Sequence, residues 1–184
     1  MVWDLPVRLF HWCLAGFFCL AYALGNDWPG MHTHAGYTVA LLVAFRIFWG
    51  LVGTTHARFA DFLVTPTDTL RYLGKLARGR AETYRGHDPA GAAMILALLT
   101  ALLVTAFSGM ALYAMEGRGP LAVTAVSGWP DRPMVAVHHI ASDVTIALVV
   151  VHILGVLATS VLTRVNLILA MITGRKPAAG RPPP

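Results

Sequence analysis

The segment "VHHIASDVTIALVVVH", Val137 to His152, places three histidines and an aspartate in a run that otherwise reads as membrane-buried helix. The composition around it supports that reading. Of the 184 residues, 57% are hydrophobic and only 12% charged, and the mean hydropathy is +0.63. Such a balance fits a polytopic membrane protein rather than a soluble domain. A bilayer core takes about 20 apolar residues per helix. The apolar runs therefore predict four spans, over residues 8–25, 32–53, 90–115 and 134–162. The expected fold is all-α, a four-helix transmembrane bundle. The first run opens with Phe10, His11 and Trp12 and is followed by no small-x-small cleavage pattern, so it is read as a retained span rather than a secretory signal.

The net charge of +5 follows topology, not nucleic-acid binding. Arg8, six basic residues between 54 and 89 and four after residue 163 alternate with nearly bare connections, which hold only Arg118 and Arg132. By the positive-inside rule both termini and the 54–89 connection face the cytoplasm, and the expected location is the plasma membrane, crossed several times. Residues 1–174 are read as one transmembrane domain and 175–184 as a disordered cytoplasmic tail. "TPTDTLRYLGKLARG" in the long connection has a cap-like start and predicts a short interfacial helix. Cys13 and Cys19 are about 9 Å apart along one helix, too far for a disulfide. No C-x-x-C-H motif for covalent haem attachment occurs.

Histidines inside a bilayer need partners or a task. His138 and His152 are fourteen residues apart, which on a helix is about four turns and about 21 Å of rise. Both rings therefore face one groove, while His139 is turned about 100° away. Span direction then matches depths. His11 lies at the level of His152 near the cytoplasmic surface; His138 lies at the level of His32 and His34 near the outer one. Gly36 is one turn from His32 and shares its face, leaving room for a flat ligand, so His32 is the expected partner of His138. Two facing imidazole pairs on one groove are what two bis-histidine b haems require. Zinc would need more ligands than either level offers. Arg46 is fourteen residues after His32, on the same face at the cytoplasmic level, and is placed to meet a haem propionate; Arg8, one turn before His11, is a second candidate or a topological anchor. His139 and Asp143 are spaced to meet on one helix face, as a structural pair or a proton-handling site.

The stretches "VWDLPVRLFHW", "HTHAGY", "FRIFWGLVG", "GHDPAGA", the paired histidines of span four and "NLILAMITGRK" together resemble the bacterial cytochrome b561 family, which includes the b-type cytochrome subunits of membrane-bound nickel-iron hydrogenases. The similarity covers nearly the whole chain. It implies a four-helix, two-haem, quinone-linked electron carrier with ligands at His11, His32, His138 and His152. Asp88 departs from the asparagine common in the family's "GHNP". It could take a quinol proton or simply cap the helix that starts at Pro89.

The expected function is electron transfer between the membrane quinone pool, near His87 and Asp88, and a periplasmic redox protein that is hydrogenase-like or cytochrome c-like. Residues 116–133 are the longest outside segment and the expected docking site. A second reading is a stand-alone oxidase of superoxide type that reduces quinone. It needs an electropositive funnel, and Arg118 and Arg132 sit beside Glu116 and Asp131. A third, a haem sensor or passive anchor, leaves the second histidine pair without a purpose.

Overall fold

The computed structural model describes residues 2–25, 27–80, 84 and 86–176. Among these the chain forms six α-helices, two short 3-10 turns and no strand: α1 (Leu5–Leu24), α2 (Pro29–Val52), α3 (Pro66–Ala77), α4 (Pro89–Met115), α5 (Asp131–Thr163) and α6 (Leu167–Thr173). Helices α1, α2, α4 and α5 are long and apolar enough to cross a bilayer. Each starts one to three residues before the corresponding apolar run, because its first turn is built from capping residues and proline. Asp4 Oδ1 accepts the Val7 N–H at 2.9 Å and Asp88 Oδ1 accepts the Gly91 N–H at 2.8 Å, each satisfying a donor that a helix start leaves open. Pro29 and Pro89 hold the first positions of α2 and α4, where a missing N–H costs nothing.

The connection between α2 and α4 contains the expected short helix. Thr65 accepts the Asp68 N–H at 3.2 Å, and Pro66 sets the first turn of α3. Tyr72 turns inward at 3% exposure while Leu70 and Leu73 stay at the surface. After α5 the backbone reverses at Arg164 with φ +54. Asn166 then caps α6 through the Leu169 N–H at 2.8 Å. Gly174 closes that helix at φ +73, and its carbonyl accepts the N–H groups of Val2 and Trp3 at 2.8 and 3.3 Å. A Cβ at Gly174 would stand 2.5 Å from the Trp3 carbonyl oxygen, so both conformation and space demand glycine there.

The chain divides into two compact units. The first comprises Met1–His11, Arg46–Ala97 and Val149–Pro184; the second comprises Trp12–Phe45 and Leu98–Leu148. In the first, Trp3, Val7, Phe10, Phe62, Tyr72 and Ala92 are buried together with the charged Arg46. In the second, the buried residues are mostly small, among them Ala35, Val43, Ser108, Ala111, Ala114 and Thr145, which lets helix backbones approach closely. Most of the apolar stretch of α5 is exposed in the chain. Lys176 at the start of the expected tail is held, its Nζ donating to the Gly86 carbonyl at 3.2 Å; residues 177–184 lie outside the described residues.

Candidate functional site

Each unit brings together one histidine pair from two different helices. In the second unit, the rings of His32 on α2 and His138 on α5 have centroids 6.0 Å apart. His32 Nδ1 lies 2.9 Å from the Ala21 carbonyl at the end of α1. A carbonyl oxygen can only accept, so Nδ1 carries the proton and the lone pair is on Nε2. His138 is fixed the same way: its Nδ1 stands 3.0 Å from the Thr105 carbonyl and 3.1 Å from Ser108 Oγ. Ser108 Oγ itself donates to the Thr105 carbonyl at 3.0 Å, leaving its oxygen to share the imidazole proton. In the neutral tautomer that these contacts select, the lone pair is on Nε2 of each ring, with ring orientation set by backbone acceptors, the arrangement a metal-binding histidine needs.

The pair lines a cleft with Phe18, Gly36, Tyr37 and Gly109. A Cβ at Gly36 would meet nothing within 4 Å, whereas one at Gly109 would lie 3.0 Å from His138 Cε1. The first glycine leaves space beside the ligand ring and the second lets α4 approach it. His34 is exposed and its Nδ1 donates within its own helix to the Gly30 carbonyl at 2.6 Å. Thr105, Ser108 and Gly109 were invisible in the sequence, since α4 has an apolar pattern with no preferred face.

In the first unit, the rings of His11 and His152 have centroids 6.4 Å apart. Arg46 is 3% exposed and its guanidinium sits 4.9 Å over the Phe59 ring. Its Nη1 is buried without a hydrogen-bond partner among the described residues. Nearby, Asp4 Oδ2 accepts from Trp49 Nε1 at 3.0 Å and from Thr54 Oγ1 at 2.6 Å. Burial works to raise the Asp4 pKa, but hydrogen bonds from Thr54, Val7 and Trp49 and the charge of Arg46 hold it below its ordinary value. Arg8 Nη1 donates to the Ile172 carbonyl at 2.6 Å, so this side chain caps the end of α6.

His87 stacks between Trp3 and Phe62, with ring centroids at 4.3 and 4.6 Å. Burial, then the charges of Arg46, Lys176 and His56, push its pKa down to about 3, so the imidazole is neutral at physiological pH. Its Nδ1 has no hydrogen-bond partner among the described residues. Asp88 serves as the α4 cap through Oδ1 and favours the charged form of Lys176, whose pKa burial lowers. His139 and Asp143 do not form the expected pair: both are exposed on α5, and no hydrogen bond or ion pair joins them.

The profile of the prokaryotic cytochrome b561 family matches residues 2–174. The chain belongs to this family. It is a multi-pass bacterial membrane cytochrome that transfers electrons and carries b-type haem. Among curated relatives, this cytochrome is 28% identical to a probable Ni/Fe-hydrogenase B-type cytochrome subunit of Rhizobium leguminosarum bv. viciae, over 95% of this chain and 87% of the relative. It is 25% identical to the protein of the same description from Rhodobacter capsulatus, covering 95% and 80%, and 25% identical to that of Azotobacter vinelandii, covering 94% and 86%. No solved structure matches. The imidazole pairs of this cytochrome fit the group that its family implies. Each pair faces two imidazoles toward each other, with ring centroids 6.0 and 6.4 Å apart, and imidazole is the side chain that would hold a b-type haem. The unpaired Nη1 of Arg46 is likewise suited to an anionic carboxylate.

Proposed function

We propose that this cytochrome holds two b haems, one between His32 and His138 and one between His11 and His152, and carries electrons between the quinone pool and a periplasmic partner. The observation that carries the reading is the pair of imidazole separations, 6.0 and 6.4 Å, with Nε2 lone pairs left available on His32 and His138. When bound, haem supplies an iron that exchanges one electron at a time. The protein's own residues do the rest. The Ala21 and Thr105 carbonyls hold the outer ligand rings in the right tautomer, Gly36 and Gly109 keep the space beside them, and Arg46 offers N–H groups to a propionate. Arg8, engaged with Ile172, acts as an anchor in this reading.

The charge pattern places both termini in the cytoplasm, with His11, His152 and Arg46 toward that side. His87 then offers a neutral hydrogen-bonding ring to a quinone, with Asp88 one residue away at the α4 start. The relatives' descriptions favour a Ni/Fe hydrogenase as the periplasmic partner, docking on residues 116–133. The superoxide reading gains no support, because Arg118 stands 3.7 Å from Glu116 and its charge is locally offset. Quinone-linked turnover of His87→Ala and Asp88→Ala, measured beside haem content, tests the quinone assignment. Lost turnover with haem retained supports it, and unchanged turnover in both variants rejects it.

A further inference from the structure

Asp143 is the one Asp, Glu, Lys or Arg between Arg132 and Arg164, and it lies about 16 Å of helix rise beyond Arg132. It belongs to a helix apolar enough to span the bilayer. A carboxylate at such a place normally faces the protein interior or a cavity and finds a partner there. Here the reverse holds. The inward face of α5 is built from His138, Ala141 and Thr145, of which the last two are buried, and Thr145 Oγ1 satisfies itself on the Ala141 carbonyl at 2.7 Å. Asp143 is on the exposed face, with Ala136, His139 and Ala147 in line at helical spacing and exposed as well. No hydrogen bond or ion pair engages Asp143 among the described residues, and Asp is too short to reach water by snorkelling as Lys or Arg do.

We infer that the Ala136–His139–Asp143–Ala147 face of α5 is a docking surface for a membrane-spanning helix of a different polypeptide, one that presents a lysine or arginine to Asp143. The two alanines let a second helix approach, and polar groups join helices in lipid. Charge decides the occupant. Two copies of this chain inserted with the same topology would lie parallel and bring Asp143 against Asp143, a like-charge contact in a low dielectric. A partner helix carrying a cation meets the carboxylate instead, with His139 one turn away to accept or donate a further hydrogen bond. The inference is independent of haem number and of the hydrogenase reading.

The test uses the full chain in phosphatidylcholine vesicles. A donor-labelled chain is co-reconstituted with acceptor-labelled single-span leucine–alanine peptides that carry either one lysine about a third of the way along or leucine at that place. A polar pair of this kind predicts about tenfold tighter association of the lysine peptide, from energy transfer. The preference persists in Asp143→Glu and disappears in Asp143→Asn, while the haem absorbance of both variants stays that of the parent. Equal association of the two peptides, or a preference that survives Asp143→Asn, overturns the inference. So does energy transfer between labelled copies of the chain that depends on Asp143, which would assign the face to self-association.

Discussion

Gly109 tests the His32–His138 pair through a residue that is neither a ligand nor polar. A methyl group added there would stand 3.0 Å from His138 Cε1 and 3.4 Å from Nδ1. Relief to an ordinary contact of 3.4 Å requires a ring movement of 0.4 Å. The ring is not free to make it, because Nδ1 is tied to the Thr105 carbonyl at 3.0 Å and to Ser108 Oγ at 3.1 Å. Gly109→Ala therefore stretches or misaligns that hydrogen bond, at a cost of about 1 kcal/mol, and weakens ligand orientation in a way that lowers metal affinity about tenfold. Gly109→Val adds bulk that no such movement accommodates and, on the proposed pairing, removes one of the two proposed haems. Gly74→Ala on α3 is the control, since a Cβ there meets nothing within 4 Å and it neighbours neither histidine pair. The assay is haem per chain by pyridine haemochrome, with haem retention followed during dilution. Gly109→Val protein that keeps its full haem complement and spectrum would refute the reasoning.

Other expectations follow from the same geometry. His34→Ala retains both haems, whereas His32→Ala loses one, as read from absorbance of purified protein. Arg46→Leu removes a buried cation and lowers the midpoint potential of one haem by on the order of 50 mV, about 1 kcal/mol for a one-electron couple, which a potentiometric titration resolves. His87 has a folded pKa of about 3 against an ordinary 6.5, so the unfolded chain binds the extra proton. Its contribution is complete above pH 6.5 and is lost as pH falls from there toward 3. Between pH 6.5 and 4.5 this amounts to roughly 2 kcal/mol, and His87→Phe should flatten that limb of the thermal-unfolding profile.

The fourteen-residue spacing of His138 and His152 was legible because helix periodicity alone puts two such rings on one face, and Gly36 pointed to His32 rather than His34 as the residue facing His138, whose ring the structure brings to 6.0 Å. Four spans were legible from apolar length, but their starts were not, since Pro29, Pro89 and Asp131 begin helices, and Asp4 caps one, without being part of an apolar run. The supports of His138 escaped notice because Thr105, Ser108 and Gly109 sit on a helix that is apolar all round, where no periodicity identifies the packed side. Arg8 shows the limit of spacing arguments. One turn from His11, it nonetheless reaches the Ile172 carbonyl, because α6 folds back to present its open carbonyls there. Asp143 shows a second limit: spacing placed it near His139, but only the packing of α5 decided that both face outward.

The most direct measurement is haem stoichiometry with reduced-minus-oxidised spectra for the parent, His138→Ala and His152→Ala proteins. The proposed pairing predicts two b haems per chain in the parent and one in each variant, with different midpoint potentials for the haem that each variant retains. One haem or none in the parent, or an unchanged count in either variant, would contradict it.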